Sequence, residues 1–295
     1  MKIAVIEYRK TPPKTAQELI EAIERKGHTP VYLKAHLLDA KITTRGVEVY
    51  HGPNPVDVDA ALMRNIGLYL SLDTFLKRIG VIEALASKIP VVNNPTATLV
   101  TRDKWRCLLK LHLTGLPVPE TLVTENPFSA MRFTNEKKKV VYKPIIGSLG
   151  LGGTLIQDPD ISFHITRSLK NLGLPSYYQE FLEKPGFDYR VFVVGDRVIG
   201  AMKRISSSWK TNIAQGASGV RVEESEAPEV FQIAIKAVKT LGLDYAGVDV
   251  AYDLNTGKHY ILEVNAFPNW EGLRRATGVN PPEIIVEYLV EKTKK

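Results

Sequence analysis

The segment YAGVDVAYDLNTGKHYILEVN, residues 245–265, alternates apolar and polar residues on both sides of a short polar stretch. Successive side chains of a β-strand point to opposite faces, so this pattern predicts two strands joined by a turn. If the strands pair symmetrically about Thr256, Asp249 lies directly opposite Glu263. Asn265 then lies two residues further along the same face. The segment is therefore predicted to be a β-hairpin that presents three oxygen-bearing side chains together.

Two carboxylates that face each other across a hairpin repel, which favours a cation between them. Oxygen ligands with no thiol or imidazole nearby are the set that Mg²⁺ prefers, and its remaining positions are filled by water and phosphate. The six histidines of the chain do not show the spacing of zinc ligands. Asp249, Glu263 and Asn265 are thus a candidate magnesium site. The alternative is that they form the solvated face of an amphipathic hairpin.

A second cluster, KPIIGSLGLGGT at residues 143–154, contains four glycines within seven residues. Glycines let backbone N–H groups approach an anion closely. The spacing matches neither G-x-G-x-x-G nor the P-loop pattern G-x-x-x-x-G-K-[ST], which disfavours a Rossmann dehydrogenase and a P-loop ATPase. Lys143 ends a predicted strand and can still clamp a triphosphate together with the loop. The alternative is a loop that binds no ligand.

Two further clusters come from other predicted strands. The apolar strand Tyr177–Leu182 can present backbone amides beside Glu180 to an adenine edge, or it can be an ordinary buried strand. The other cluster is a pair of arginines, Arg190 and Arg204, on strands joined by the two-residue hairpin signal Gly195-Asp196.

Pairing about that turn places position 190 opposite position 201, and Arg190 and Arg204 become near neighbours. Clustered guanidinium groups bind a carboxylate or a phosphate through two parallel hydrogen bonds. The two arginines are therefore candidates for contact with an anionic substrate. The alternative is a cationic surface without a ligand.

The order of the predicted elements indicates an α/β protein. Residues 1–95 alternate apolar strands with amphipathic helices, which implies an open parallel sheet covered by helices. From Lys139 onward the strands come in hairpins instead of crossovers. We therefore predict three lobes, at residues 1–95, 96–184 and 185–295. One helix is expected from about Thr98 to Leu113.

The composition is that of an ordinary folded protein, with 44% hydrophobic and 24% charged residues among 295. A single cysteine, Cys107, excludes an internal disulfide framework and is expected in the core. No apolar run is long enough to cross a membrane, and we expect a cytoplasmic protein. The net charge of +7 favours anionic partners, such as a nucleotide, a nucleic acid, an acidic cofactor or an acidic protein.

In their order along the chain, these clusters resemble the ATP-grasp superfamily, and specifically its RimK-like amino-acid ligases. The resemblance covers nearly the whole chain. It rests on TRDK at 101–104, Lys143 with its glycine loop, QEFL at 179–182, DYRVFVVGD at 188–196, KTN at 210–212, AGVDV at 246–250 and LEVNAFP at 262–268.

The resemblance implies an ATP-grasp fold preceded by the N-terminal α/β domain, with residues 96–184 covering the nucleotide and residues 185–295 carrying metal and substrate. The implied enzyme is an ADP-forming carboxylate–amine ligase that works through an acyl phosphate. The implied ATP-binding residues are Lys104, Lys143, Gly150, Glu180, Phe181, Leu182, Asp188 and Lys210. Two Mg²⁺ or Mn²⁺ ions would be held by Asp249, Glu263 and Asn265. The predicted catalytic residues are Arg190, Arg204 and Asn212, and the clustered arginines are candidates either for stabilising the oxyanions of the reaction or for holding the carboxylate of the incoming amino acid.

The segment AFPNWEGL at residues 266–273 resembles the glutamate-ligase pattern, although Asn269 replaces an expected glycine. Residues 206–212, SSSWKTN, are closer to archaeal-type cofactor glutamate ligases than to the enzyme that modifies a ribosomal protein. The resemblance therefore favours transfer of L-glutamate to an anionic acceptor, either a pterin or deazaflavin cofactor or a protein C-terminus. Whether the chain forms a homo-oligomer is left open.

Three other functions compete with this interpretation. The first is a carrier-protein-dependent ligase of lysine or arginine biosynthesis, and the second is a D-alanine or glutathione-type ATP-grasp ligase. The third is a non-catalytic module that binds nucleotide or nucleic acid, which predicts aromatic residues interleaved with lysine and arginine. The aromatic residues Tyr177, Tyr178 and Phe192 instead fall at strand-core positions, which disfavours nucleic acid as a partner.

Overall fold

The computed structural model of the chain describes residues 1–67, 71–145, 152–209 and 218–294. Within them the strands form a parallel N-terminal sheet, two larger antiparallel sheets and one small antiparallel sheet. None of the helices in these ranges combines the length and the hydrophobicity that crossing a lipid bilayer requires.

The N-terminal domain is built on four parallel strands in the order β2-β1-β6-β7. This confirms the predicted parallel sheet. Its elements are β1 (Lys2–Glu7), α1 (Lys14–Arg25), β2 (Thr29–Lys34), β3 (Leu38–Thr43), β4 (Gly46–His51), β5 (Asn54–Pro55), β6 (Ala60–Met63), α2 (Leu72–Ala86) and β7 (Val91–Val92). The sequence analysis did not predict β3, β4 and β5, which form the small antiparallel sheet beside α2.

The predicted helix over residues 98–113 is two helices in the structure, α3 (Pro95–Arg102) and α4 (Lys104–Leu113). Asp103 separates them in an extended conformation, and its carboxylate accepts hydrogen bonds from the backbone N–H groups of Trp105 and Arg106. An aspartate in this position caps a new helix because it satisfies donors that lack a partner within the helix. The single-helix prediction was therefore wrong, and Lys104 is the first residue of α4.

The middle sheet is antiparallel, with the strand order β10-β9-β11-β8. Its elements are β8 (Thr121–Thr124), α5 (Pro127–Lys137), β9 (Val140–Lys143), β10 (Thr154–Ile156), α6 (Pro159–Asn171) and β11 (Ser176–Glu180). Thr154 pairs with Tyr142, so β9 and β10 flank the glycine-rich segment. Lys143 is the last residue of β9, as the sequence predicts.

The third sheet has five antiparallel strands in the order β14-β13-β12-β15-β16. Its elements are β12 (Phe187–Val194), β13 (Arg197–Ile205), β14 (Ser218–Val222), α7 (Pro228–Leu241), β15 (Tyr245–Asp253), β16 (Lys258–Asn265), α8 (Glu271–Thr277) and α9 (Pro281–Lys292). The predicted lobe boundaries near residues 95 and 184 fall between the sheets and stay predictions.

The two faces of the five-stranded sheet have different environments. Val191 and Val248 point to one face and pack with α7 and α4 in the largest core. Phe192 and Met202 point to the other face and pack against Trp270 and the N-terminal domain. Beyond that covered region, the second face carries charged side chains instead of apolar ones.

Asn93 joins the N-terminal domain to the five-stranded sheet. Its fully buried amide accepts hydrogen bonds from the backbone N–H groups of Asp244 and Tyr245, each at 2.8 Å. It donates to the carbonyls of Tyr245 and Ala266, also at 2.8 Å. One side chain therefore holds the start of β15 and the residue after β16 in a fixed relation.

We expect Asn93→Ala to lower the free energy of unfolding by about 3 kcal/mol or more, because it leaves buried backbone groups without partners. Urea denaturation measures this loss. The matched control is Asn126→Ala, which removes the exposed cap of α5 and should cost about 1 kcal/mol. Equal losses in the two variants would contradict the role assigned to Asn93.

Candidate active site

The β15–β16 hairpin has the register that the sequence predicts at the candidate metal site. Asp249 pairs with Glu263, and Asn265 pairs with Gly247. Nearer the turn the pairs are displaced by one residue, because a β-bulge lies beside Asp249. The bulge lets Ile261 and Val264 both face the core while Glu263 stays opposite Asp249.

Asp249 is buried and bonded to two guanidinium groups. Its Oδ1 lies 2.6 Å from Nη1 of Arg190, and its Oδ2 lies 2.9 Å from Nη2 of Arg204. Burial by itself would raise the pKa of the Asp249 carboxyl, but the two arginines outweigh it and hold the pKa below its ordinary value. The prediction that these arginines lie close together is confirmed.

Arg204 also pairs with Asp188. Its Nε and Nη2 donate to the two carboxylate oxygens of Asp188 at 2.7 and 2.8 Å, a bidentate geometry. Burial opposes the charge of Arg204, but Asp249 and Asp188 together raise its pKa above the usual arginine value. Four buried groups of alternating charge thus form a continuous network, Arg190–Asp249–Arg204–Asp188.

The predicted pairing of position 190 with position 201 was wrong by one residue. Arg190 pairs with Met202, and Asp188 pairs with Arg204, because a β-bulge interrupts the ladder between Phe192 and Val193. The bulge inserts one residue into β13 and shifts every pair beyond it. It is this shift that brings Arg204 opposite Asp188.

Lys143 projects from the middle sheet towards the same site. Its Nζ donates to Oε1 of Gln179 at 2.6 Å, and burial lowers its pKa to about 8. Glu263 and Asp249 act on this pKa in the opposite direction, so both carboxylates are within electrostatic reach of Lys143. The middle sheet and the metal hairpin therefore meet at this lysine.

Lys104 lies at the edge of the same region. Its Nζ is 3.4 Å from the carbonyl oxygen of Ile145, just after Lys143. Together with Thr101 and Glu263 it lines a crevice. Cys107 also lines this crevice; it is buried, as predicted, and burial raises its pKa to about 12. The thiol is protonated at neutral pH and is unsuited to act as a nucleophile.

The sequence analysis missed Lys184. Its Nζ donates to the carbonyl of Trp209 at 2.9 Å, and burial lowers its pKa. Asp188, Arg204 and Asp249 all influence that pKa, which places Lys184 beside the buried network. A lysine before a Pro-Gly pair has the pattern of a surface turn, so the sequence carries no signal that would have found it.

The predicted adenine segment connects the middle sheet to the five-stranded sheet. The carboxylate of Glu180 accepts a hydrogen bond from the backbone N–H of Glu120 at 2.8 Å. The Phe181 ring meets the Trp209 ring edge to face, with centroids 6.3 Å apart, and Leu182 is buried. The assignments of Glu180, Phe181 and Leu182 to adenine, and of Asp188 to ribose, stay predictions.

Three residues of the predicted site, Gly150, Lys210 and Asn212, lie outside the described residues. Among those that are described, Lys104, Lys143, Arg190, Arg204, Asp249 and Glu263 converge on one region, where the middle sheet faces the polar part of the five-stranded sheet.

The hairpin side chains fit a hard cation. The atoms with which they can bind a metal are all oxygens. Oδ1 of Asn265 is oriented by a 2.9 Å hydrogen bond from the backbone N–H of Phe267. Asp249 already bonds two guanidinium groups, but a carboxylate has about four lone-pair positions and keeps the capacity for a metal. In the described ranges, no group of three or more His, Cys, Asp or Glu side chains is placed to bind a metal. An ion here therefore depends on Asn265 as well as on the two carboxylates.

Comparison with known proteins finds similar sequences along nearly the whole chain. The sequence pattern described as a RimK-like ATP-grasp domain matches residues 101–289. The chain is 31% identical to a tetrahydromethanopterin:alpha-L-glutamate ligase of Methanosarcina acetivorans, across 93% of this chain and 94% of that protein. It is 32% identical to a probable alpha-L-glutamate ligase of Trichodesmium erythraeum, across 98% of this chain and 96% of that one.

The fold is also similar to solved ATP-grasp structures. The ATP-grasp ligase PsnB complexed with a minimal precursor has a TM-score of 0.76 at 22% identity, covering 99% of each chain. A RimK domain ATP-grasp protein from Sphaerobacter thermophilus has a TM-score of 0.73, also at 22% identity, covering 98% of this chain and 99% of that one. These similarities show that the chain has the ATP-grasp fold.

We expect Arg204→Ala to destabilise the protein more than Arg190→Ala. Loss of Arg204 removes a partner from both Asp188 and Asp249, which should cost about 3–5 kcal/mol because buried charge is left uncompensated. Loss of Arg190 leaves Asp249 with Arg204 and should cost about 2 kcal/mol. Urea unfolding of both variants tests the order, and the reverse order would contradict the network as described.

We expect one lysine resonance of the reductively ¹³C-methylated protein to titrate near pH 8, and to disappear in Lys143→Arg. In the unfolded chain the same lysine has the ordinary pKa of about 10.4. Between about pH 8 and that value, the unfolded chain therefore binds more protons at this residue than the folded protein does. The stability of the wild-type protein should therefore rise with pH in that window relative to Lys143→Met. A midpoint near the ordinary lysine value would contradict the burial of this amine.

Proposed function

The chain belongs to the RimK-like ATP-grasp family, and from this premise we propose that it joins L-glutamate to a carboxylate of an anionic acceptor. It is an ATP-dependent ligase that adds an amino acid. We propose a pterin or deazaflavin cofactor, or a protein C-terminus, as the acceptor. The choice of glutamate is supported by relatives named as α-L-glutamate ligases along nearly the whole chain.

One observation carries the proposal. Lys143, on the middle sheet, lies within electrostatic reach of the Asp249–Glu263 pair on the five-stranded sheet. A nucleotide bound between the sheets would have its phosphates neutralised from one side by lysines and from the other by a metal on the hairpin. Phosphoryl transfer depends mainly on such positioning and charge neutralisation, so the chain needs no nucleophile of its own.

In the proposed reaction, an oxygen of the acceptor carboxylate attacks the γ-phosphorus of ATP, and ADP leaves. The amine of glutamate then attacks the resulting acyl phosphate, phosphate leaves and an amide forms. The ATP-grasp family uses Mg²⁺ with ATP, and the ion offsets phosphate charge. We propose that Asp249, Glu263 and Asn265 hold two such ions.

The lysines have a distinct part in this proposal. The amine of Lys143 has a pKa of about 8 in the free protein, and an adjacent phosphate would raise it and keep the side chain charged. Lys104, which lines the same crevice as Glu263, would neutralise the same phosphates. Lys184 contributes a third positive charge beside Asp188 and Asp249.

The two arginines differ in how many of their guanidinium nitrogens already bond a carboxylate. Arg204 uses Nε and Nη2 on Asp188 and Asp249. Arg190 bonds Asp249 through Nη1, and the described residues accept no hydrogen bond from its Nε or Nη2. We therefore assign the contact with a substrate oxygen, either the oxyanion of the reaction or the carboxylate of glutamate, to Arg190. Arg204 positions Asp249.

The test is an ADP-release screen with ATP and Mg²⁺, in which glutamate, lysine and 2-aminoadipate are each combined with pterin, deazaflavin and carrier-protein acceptors. We expect ADP release to require glutamate together with a cofactor or peptide acceptor, and the product mass to show the added glutamate. Release with lysine or 2-aminoadipate on a carrier protein would instead identify a biosynthetic carrier-dependent ligase.

Glu263→Gln is the matched loss-of-function variant in this screen. It should cut turnover by about 100-fold or more, because it removes one charge from an oxygen-only metal site, and EDTA should abolish turnover of the wild type. Glu287→Gln is the control, since that carboxylate pairs with Lys26 on the exposed side of α9. Full activity of the wild type in EDTA would contradict the metal assignment.

A further inference from the structure

Gly247 lies directly beneath the guanidinium group of Arg190. A Cβ atom built on Gly247 would lie 2.5 Å from Cζ of Arg190 and 2.7 Å from both Nε and Nη2. Because three guanidinium atoms are almost equally close, the plane of the group lies flat over this residue. Gly247 pairs with Phe192 on one side and with Asn265 on the other.

Space, not backbone conformation, requires glycine at this position. Gly247 is not among the glycines with a positive φ, so residues with a side chain can adopt its conformation. Glycine in a strand interior usually weakens the strand and often marks a close approach by another group. Here the approaching group is the guanidinium of Arg190, which is only 9% exposed.

The position of this guanidinium matters because of its neighbours. Its Nη1 is 2.6 Å from Oδ1 of Asp249, and the residue beneath it pairs with Asn265. Arg190 therefore bonds one of the three proposed metal ligands and lies over the strand neighbour of another. The height of its guanidinium above the strand decides where Nε and Nη2 point.

We propose that Gly247 is a positioning residue for ligation. Because it has no side chain, the guanidinium of Arg190 can lie against its backbone and stay bonded to Asp249. This inference rests on the proposed function, in which Arg190 contacts a substrate oxygen. A methyl group on residue 247 would push the guanidinium away from the strand by about 1 Å, because ordinary carbon contacts require that separation. A displacement of that size in a positioning group can cost about 100-fold in rate.

The test is a double-mutant cycle of wild type, Gly247→Ala, Arg190→Ala and the combined variant. We expect Gly247→Ala to lower kcat by about 100-fold while the Kd for ADP changes by less than about threefold. In the Arg190→Ala background the same substitution should have no further effect on kcat, because the group that it displaces is gone. Equal losses of kcat in both backgrounds would overturn the proposal.

Gly200→Ala is the matched control on the same sheet. A Cβ there would lie 3.5 Å from side-chain atoms of Leu273 and Thr277, which is ordinary contact, so kcat should stay at the wild-type value. A loss of kcat in Gly200→Ala as large as in Gly247→Ala would show that any added methyl group harms this sheet. It would overturn the specific role of Gly247.

Thermal unfolding provides a readout that does not depend on ligation. Gly247→Ala should lower the unfolding midpoint when Arg190 is present and leave it unchanged in the Arg190→Ala background. If Gly247→Ala folds only when Arg190 is also replaced, the proposal is supported. If Gly247→Ala fails to fold in both backgrounds, the proposal is overturned. If the wild type ligates no tested acceptor, the proposed function fails. The unfolding midpoints of the four proteins still show whether Gly247 holds Arg190 in place.

Discussion

The buried carboxylate of Asp249 is the constraint on which the polar face of the five-stranded sheet depends. An unpaired charge on this carboxylate, which is only 6% exposed, would cost several kcal/mol. Arg190 and Arg204 supply the opposite charge, and Asp188 balances Arg204 in turn. Because these groups come from β12, β13 and β15, neutralising one charge also fixes three neighbouring strands in register.

The N-terminal domain reaches the same hairpin from its other end. Asn93 bonds the carbonyl of Ala266, directly after Asn265. Arg64 donates to the carbonyl of Pro268 at 2.7 Å, and its guanidinium lies over the Trp270 ring at 4.6 Å. The segment after the proposed metal ligands is thus held by residues from a different sheet. The parallel domain therefore helps to fix where the hairpin ends, although it contributes no side chain to the proposed metal site.

Local patterns predicted the hairpins well and their registers less well. The pairing of Asp249 with Glu263 follows from alternation and from one turn, both of which are local. The pairing of Arg190 was shifted by a bulge, and the bulge is linked to packing: Val198 packs in one core and Ile199 in the other. Alternation alone cannot locate such an extra residue, because both side chains are apolar and suit either face.

The sequence by itself determined the family resemblance, the parallel domain followed by hairpins, and the face that gathers Asp249, Glu263 and Asn265. It could do so because strand alternation and turn signals act over a few residues. Only the tertiary structure decided which cations hold Asp249, that Lys184 joins the site, and that Lys143 has a pKa of about 8. These properties depend on burial and on charges from elements far apart in the chain, and no local pattern specifies how closely such elements approach.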